Sequence, residues 1–287
     1  MNADRYLVDP SRKLRLEDFD PNDTGEFKSH SDAQQKLQAD IETLAGLQDK
    51  LYAQARYGML IVLQGMDTSG KDGVIKHVMT GINPAGVVVY SFKQPSAEEQ
   101  RHDYLWRATK VMPERGRMAI FNRSYYEDVI VTRVHPQLLG QFEEQAVNQG
   151  EAFWKTRFHD IECLEHYLAH NNTIVLKFFL HISKDEQKKR ILKRLDDDTK
   201  QWKFSPSDLQ ERSYWDQYVR AYEDALSHTS EAAPWYIIPA NHKWFARLTI
   251  ADIIVNRFQK LHPEYPKLAP ELEEQLEKAK AAIEAEP

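Results

Sequence analysis

Residues 59–79 read MLIVLQGMDTSGKDGVIKHVM: an apolar run from Met59 to Leu63, a glycine-containing loop, and then Val74, Ile75, Val78 and Met79 recurring at helical spacing. An unbroken apolar run suits a strand buried on both faces, and the recurrence after it suits a helix packed on one face. Between them, Gly65-Met66-Asp67-Thr68-Ser69-Gly70-Lys71-Asp72-Gly73 fits G-x-x-x-x-G-K, in the strand-to-helix context that a phosphate-binding P-loop requires. Glycines let the chain turn inward so that backbone N–H groups and the helix N-terminus face a phosphate, and Lys71 brings a mobile cation to its oxygens. The plainer alternative is a glycine turn.

The Ser or Thr that usually follows the lysine and reaches Mg2+ is Asp72 here, so a metal ligand has to come from elsewhere. Asp67 is the candidate, because a carboxylate facing phosphates is repelled unless a divalent cation or a shared proton lies between them. Asp67 is therefore assigned to binding Mg2+ or to handling the proton of the attacking phosphate. Its alternative is a loop cap on backbone N–H groups.

Further buried strands are expected at Val87–Tyr90, Met118–Phe121, Ile174–Leu180 and Trp235–Ile238, alternating with helices at about 31–56, 96–111, 140–169, 183–195, 206–228 and 242–262. Strands alternating with helices predict an α/β fold: a mostly parallel five-stranded sheet with helices on both faces. Ser31 and Gln34 form a capping-box pattern ahead of Leu37, Ile41, Leu44, Leu47 and Leu51. Residues 1–30 read as a polar, turn-rich N-terminal extension, 31–265 as a single domain with a lid at about 183–215, and 266–287 as a C-terminal Glu/Lys/Ala helix and tail.

The chain has 287 residues, with 38 Lys+Arg against 44 Asp+Glu, a net charge of −6 and 41% hydrophobic residues. That is the composition of a soluble globular enzyme, and it offers no general pull on nucleic acid or anionic lipid. One cysteine cannot form an internal disulfide, the N-terminus lacks the apolar core of a signal peptide, and no apolar run approaches the ~20 residues that span a bilayer. The expectation is a reducing cytoplasm, with neither nucleic acid nor membrane as partner.

Asn122-Arg123-Ser124-Tyr125-Tyr126-Glu127-Asp128 follows another strand, and in a doubly wound sheet the strand C-termini converge on one crevice. Arg123 is suited to grip phosphate oxygens, while Asn122, Glu127 and Asp128 supply hydrogen-bonding and metal-capable oxygens. The alternative is a helix N-terminus with well-placed acids. Lys184, Lys188, Lys189, Arg190, Lys193 and Arg194 set six cations against two acids between 184 and 194. Arg190 and Arg194 share a helix face with room for consecutive phosphates. With Lys200, Trp202, Lys203 and Phe204 following, this reads as a cationic lid, or else as a solvated charged face. Arg133 joins Lys188, Arg190, Arg194 and Lys203 as a candidate phosphate ligand. Lys93, Pro95 and Arg107, with Asn83, Pro84 and Gly86 nearby, flank the second strand and are candidates for holding a nucleotide, as are Tyr126 and Asp128. Tyr214, Trp215, Tyr218 and Tyr222 read as core or interface. His166 and His170 have metal-pair spacing without a third ligand motif and read as a helix surface, and Cys163 as a buried, inert thiol.

Taken together, these stretches resemble the polyphosphate kinase 2 family. The resemblance rests on the loop 65–73, on Ser91-Phe92-Lys93-Gln94-Pro95 followed by Tyr104-Leu105-Trp106-Arg107, on Asn122–Asp128, and on His181-Ile182-Ser183-Lys184-Asp185-Glu186-Gln187, which together span most of 30–260. It implies a P-loop kinase (thymidylate-kinase-like) three-layer fold with a helical lid, dependence on Mg2+ with Mn2+ as a substitute, and reversible phosphoryl transfer between inorganic polyphosphate and a nucleotide. By the resemblance, Asp67 and Lys71 are catalytic, Arg123 binds the transferring phosphate, and Arg190 and Arg194 lie along the polyphosphate. Many members carry aspartate where this chain has Asn122, with Glu127 left as a nearby acid. The form Asn-Arg-Ser-x-Tyr-Glu-Asp resembles the class III branch, whose members phosphorylate both AMP and ADP and so carry AMP through to ATP. Homodimers or homotetramers are what the family suggests. Nothing resembles a protein nucleophile with its base, so direct in-line transfer without a phosphoenzyme is expected. The rivals are an ATP-dependent nucleoside-monophosphate kinase, which needs two nucleotide pockets, and a regulatory protein that binds nucleotide without turnover.

Overall fold

The computed structural model describes residue 1, residues 3–139 and residues 150–286, apart from the side chains of Lys203 and Asp208. Its centre is the strand read first from the sequence. β1 (Gly58–Gln64) is buried at every position, as a strand must be when both its neighbours and both its faces are covered. β2 (Val87–Ser91), β3 (Met118–Asn122), β4 (Thr173–His181) and β5 (Trp235–Pro239) complete a five-stranded sheet of order β2-β3-β1-β4-β5. Every pairing is parallel, so the expected "mostly parallel" sheet is wholly parallel. Each strand returns by a helical crossover rather than a hairpin, and that connection keeps neighbours parallel. The chain moves from β1 to the edge strand β2 and back to β3 on one side, then to β4 and β5 on the other. The order therefore reverses at β1, and a crevice opens where β1, β3 and β4 end.

Among the described residues the helices are α1 (His30–Gln54), α2 (Lys71–Val78), α3 (Trp106–Thr109), α4 (Glu127–Val134), α5 (Glu151–His170), α6 (Lys184–Leu195), α7 (Ser207–Ser213), α8 (Trp215–His228), α9 (Lys243–Gln259) and α10 (Pro270–Glu284). α1, α2 and α9 pack together on one side of the sheet and α4, α5 and α8 on the other. α9 is apolar around most of its circumference, burying Phe245, Leu248, Ile250, Ile254 and Phe258, as a helix enclosed by a sheet and a second helix requires. Residues 3–16 return along β5. The Val8 N–H donates to the Trp235 carbonyl at 2.8 Å, Leu7 bridges Tyr236, and Tyr6, Val8, Leu14 and Leu16 are buried. No helix among the described residues is long and apolar enough to cross a membrane.

Local chemistry explains where the sequence reading differs. α1 is capped by Ser29, whose Oγ accepts from the Asp32 N–H at 3.3 Å, and not by Ser31 with Gln34. The helix expected at 96–111 is a 3-10 turn at Glu99–Arg101 and the short α3, because His102 is extended and the Asp103 carboxylate accepts from the Leu105 N–H at 3.0 Å, restarting the chain there. The helix expected at 206–228 breaks at Tyr214, giving α7 and α8. Of the helix expected at 140–169, residues 140–149 lie outside the described ones. On α5, Phe158, Ile161, Glu165 and Leu168 point inward. That leaves Cys163 exposed, with Sγ 3.5 Å from His159 Nε2, where the sequence reading had it buried. In the native protein Cys163 should therefore react stoichiometrically with a thiol reagent before any denaturant is added, and absorbance of the released chromophore reads this directly.

Candidate active site

β1 ends in the P-loop, where Gly65 has φ 147° and a Cβ would lie 2.7 Å from the Leu180 carbonyl oxygen. Only glycine fits that approach. The loop passes through Thr68, a non-glycine residue at φ 63°, before α2 begins at Lys71. A non-glycine residue held there is strained, and strain of this kind clusters at functional sites. Lys71 is buried, and its Nζ donates to the Gly65 carbonyl at 2.7 Å and to that of Met66 at 3.4 Å. Burial first, and the Arg123 guanidinium second, push its pKa down to about 8. The hydroxyls of Thr68 and Ser69 and the Gln64 Oε1 are buried without a hydrogen-bond partner among the described residues. Buried polar atoms without partners are rare, and the two hydroxyls are donors suited to phosphate oxygens.

β3 ends beside the loop and turns at Arg123, also at φ 63°. Arg123 Nη2 donates to Asp67 Oδ1 at 2.6 Å and Nη1 to Glu127 Oε2 at 2.8 Å. The charges of Glu127 and then Asp67 hold the guanidinium firmly protonated. The Asn122 amide donates to Asp72 Oδ1 at 2.8 Å. From α6, Gln187 Nε2 donates to the Asp67 carbonyl at 3.1 Å, and Gln187 Oε1 accepts from Arg212 Nη1 at 2.7 Å. Glu211 accepts from Tyr218 OH at 2.5 Å and lies 2.9 Å from His135 Nε2. Met66, Asp67, Arg123, Glu127, Gln187, Arg212, Trp215, Tyr218 and Tyr222 line one cleft. α7 and α8 form its outer wall.

Of the residues assigned from sequence, Asp67, Lys71, Asn122, Arg123, Glu127 and Asp72 thus meet around the loop. Others do not. All five donors of Arg190 are taken: by Glu186 at 2.8 Å, by the carbonyls of Thr68 and Ser69 at 3.0 and 2.7 Å, and by those of Ala240 and Asn241 at 2.5 and 3.0 Å. Arg190 holds the loop's backbone from behind and is no polyphosphate ligand here. Tyr126 is fully buried, its hydroxyl on Glu165 and Lys177, so it holds no nucleotide. Arg133 pairs with Glu151 and Asp224 under Trp154, tying α4 to α5 and α8. Asn83, Pro84 and Gly86 precede β2 and so lie at the opposite end of the parallel sheet. There Asn83 caps Ala85, and a Cβ on Gly86 would collide with Gln48 of α1. Gly73 faces Arg247 of α9. Lys188 sits with Lys189, Leu192 and Lys193 on the outer face of α6. Arg194 is half-buried one turn beyond Arg190, and the side chain of Lys203 lies outside the described ones.

At the end of β2, Lys93 and Pro95 are on the crevice edge. Buried Arg107 donates to the Lys93 carbonyl at 2.8 Å and to Asp128 Oδ2 at 3.3 Å, its guanidinium lying over Phe92. Burial pushes Asp128 up to about 6, against the opposing pull of Arg107 and Arg157. The sequence reading missed Gln187, Glu211 and Arg212; it read Trp215, Tyr218 and Tyr222 as core or interface, and they pack on the core while also lining the cleft. The signal for the aromatics was their helical spacing immediately after the lid, with one face turned to the cleft.

No group of three His, Cys, Asp or Glu among the described residues converges to hold a metal. Mg2+ does not need such a cage: it is usually bound by one or two carboxylates together with substrate phosphates and water. Asp67, part-exposed at the mouth of a loop with unpartnered hydroxyls, fits that donor set, with Glu127 beside it.

The profile of the Polyphosphate kinase 2 family matches residues 27–266. The chain is 49% identical over 249 residues to the ADP-polyphosphate phosphotransferase of Rhodopseudomonas palustris, covering 85% of each chain. It is 43% identical over 265 residues to the AMP/ADP-polyphosphate phosphotransferase of Meiothermus ruber, covering 92% of this chain and 95% of that one. The crystal structure of Polyphosphate Kinase 2 from Arthrobacter aurescens TC1 superposes with a TM-score of 0.85 at 38% identity, over 96% of this chain and 95% of that one.

A polyanion in the loop should raise the pKa of Lys71 from about 8 back towards its ordinary value. Binding tripolyphosphate at about pH 8.5 therefore takes up a fraction of a proton, whereas at about pH 6.5, where Lys71 is already charged, it takes up none there. Calorimetry in two buffers of different ionisation enthalpy measures the uptake, and Lys71→Arg should abolish it.

Proposed function

The chain belongs to the polyphosphate kinase 2 family, and from that premise we propose that it phosphorylates AMP and ADP from inorganic polyphosphate, giving ADP and ATP, by direct transfer. The observation that carries the chemistry is Arg123, set between Asp67 and Glu127 at the mouth of the P-loop. Phosphoryl transfer asks little of a protein beyond alignment and charge stabilisation, and this cleft offers both. The loop's N–H groups, the Thr68 and Ser69 hydroxyls and Lys71 would hold the donor end. Arg123 would turn from its carboxylates to the oxygens of the moving group. An oxygen of the nucleotide's terminal phosphate attacks the end phosphorus of the polyphosphate, the bridging P–O bond breaks, and the chain leaves one phosphate shorter. Mg2+, held by Asp67 with Glu127 near, would offset charge on the phosphate oxygens when bound. α7 and α8 keep water from competing as acceptor.

Direct transfer is supported by the histidines nearest the cleft among the described residues, neither of which is placed as a free nucleophile. His181 is half-buried, and desolvation pushes its pKa down to about 4 against the opposing pull of the backbone at Phe19 and Leu16. His135 faces Glu211. Use of both AMP and ADP is supported by the likeness to the AMP/ADP-polyphosphate phosphotransferase of Meiothermus ruber and by the Asn-Arg-Ser-x-Tyr-Glu-Asp form of residues 122–128. The reading extends to a homodimer or homotetramer in a reducing cytoplasm.

The test offers purified protein Mg2+, long-chain polyphosphate and either AMP or ADP, and follows all three nucleotides by chromatography. ATP should form from both acceptors, with ADP appearing first from AMP. Transfer from ATP but not from polyphosphate would move the assignment to a nucleoside-monophosphate kinase. Asp67→Asn should lower turnover by about 100-fold or more, and Asn122→Asp should change the ratio of the AMP and ADP rates.

A further inference from the structure

Directly beneath the Arg123 turn lies a buried polar cluster that makes no contact with the cleft. Tyr125, Tyr126, Glu165 and Lys177 are each 0% exposed. Glu165 Oε1 accepts from Tyr125 OH at 2.8 Å and from Tyr126 OH at 2.9 Å, and Glu165 Oε2 accepts from Lys177 Nζ at 2.6 Å. Lys177 also donates to Tyr126 OH at 2.8 Å and to the Thr229 carbonyl just beyond α8. Trp235 closes the cluster, its ring edge-on to Tyr126 at 4.8 Å.

Stability gives no reason for such a cluster. An ion pair taken wholly out of water costs about as much in desolvation as it returns in attraction, and apolar residues of similar volume commonly serve the fold as well. What the cluster supplies is direction. Tyr125 and Tyr126 lie between Arg123 and Glu127, the two ends of the cleft's ion pair, in a turn whose Arg123 occupies a strained backbone region. Above the cluster, the turn is fastened by the Arg123 N–H on the Leu63 carbonyl at 3.0 Å and by Ser124 Oγ, which accepts from Gln64 Nε2 and the Tyr126 N–H. Below it, the two tyrosine hydroxyls are its anchors. We propose that the buried Lys177–Glu165 pair, gripping the hydroxyls of Tyr125 and Tyr126, is a positioning unit that sets Arg123 and Glu127 for phosphoryl transfer and ties them to the end of α8. Tyr125, Tyr126, Glu165 and Lys177 are positioning residues; none touches substrate. The inference rests on the cleft being the phosphoryl-transfer site.

The experiment measures steady-state transfer from polyphosphate to ADP. Tyr126→Phe and Tyr125→Phe each remove one hydroxyl; kcat should fall roughly ten-fold with KM for ADP unchanged. In an Arg123→Ala background, where there is no guanidinium left to position, the same Tyr126→Phe change should cost less than about two-fold. Equal losses in both backgrounds, or wild-type kcat in both tyrosine variants, overturn the proposal. The paired replacement Lys177→Met with Glu165→Leu removes the charges together and should keep a cooperative thermal transition while losing kcat by a similar factor; full kcat in that variant also overturns it. Ile254→Val on α9, a core change remote from the turn, should lower stability without altering kcat. Wild-type protein that transfers nothing from polyphosphate overturns the reading of the cleft itself, and this proposal with it.

Discussion

A phosphate loop is a ring of donors drawn inward, and when no anion fills it something must keep it from relaxing. The Arg190 guanidinium meets that constraint by gripping the loop's carbonyl side. Its donors to Thr68 and Ser69 fix the loop, and its donors to Ala240 and Asn241 fix the loop to the segment after β5. The Thr68 and Ser69 carbonyls face the arginine, and the Ser69 N–H closes the turn on the Met66 carbonyl at 3.0 Å. A planar fork with five fixed donors can do this, and a lysine cannot. Glu186, one turn earlier on α6, takes the remaining N–H, so α6 and the loop share one anchor.

The front of the loop is built from opposed charges. Asp67 and Glu127 face Arg123, while Lys71 folds back onto carbonyls of its own loop. Each charged group that would meet a phosphate already has a partner of the kind that a phosphate or its counter-ion replaces, whereas the Thr68 and Ser69 hydroxyls have none among the described residues. α6 and α7 join the loop through Gln187, which touches the Asp67 carbonyl on one side and Arg212 on the other. Displacement of α7 would therefore be felt at Asp67 through a single side chain.

The sheet and the loop were legible because their chemistry is local. A continuous apolar strand, a glycine-framed turn and a lysine at a helix start need no tertiary information, and β1, the P-loop and α2 stand where the sequence places them. Parts that depend on which way a side chain points were not legible. Arg190 and Arg194 look equivalent on a helical wheel, yet only the packing of α6 against the loop decides that Arg190 serves the backbone. Tyr126 lies next to Glu127 in sequence, but the turn sends one into the core and the other to the cleft. Asn83 and Gly86 were misplaced for a topological reason: residues before a parallel strand lie at the far end of the sheet from those after it. Tyr218 and Tyr222 have the spacing of a core stripe, and their stripe does pack inward at Tyr222 while Tyr218 opens on the cleft.

The pairing of Arg123 with two carboxylates has an electrical consequence. With Lys71 and Arg123 set against Asp67 and Glu127, and Asp72 close by, the loop's immediate surroundings carry no surplus positive charge. A bare polyanion drawn to the lysines on the outer face of α6 would gain little extra from net attraction on entering. Under the proposed function, entry would favour a phosphate chain that already travels with its own cations, since those would take up the carboxylates as the chain releases the arginine. The balanced site would then act as a filter on the ionic form of its substrate, admitting a neutralised complex more readily than the naked chain.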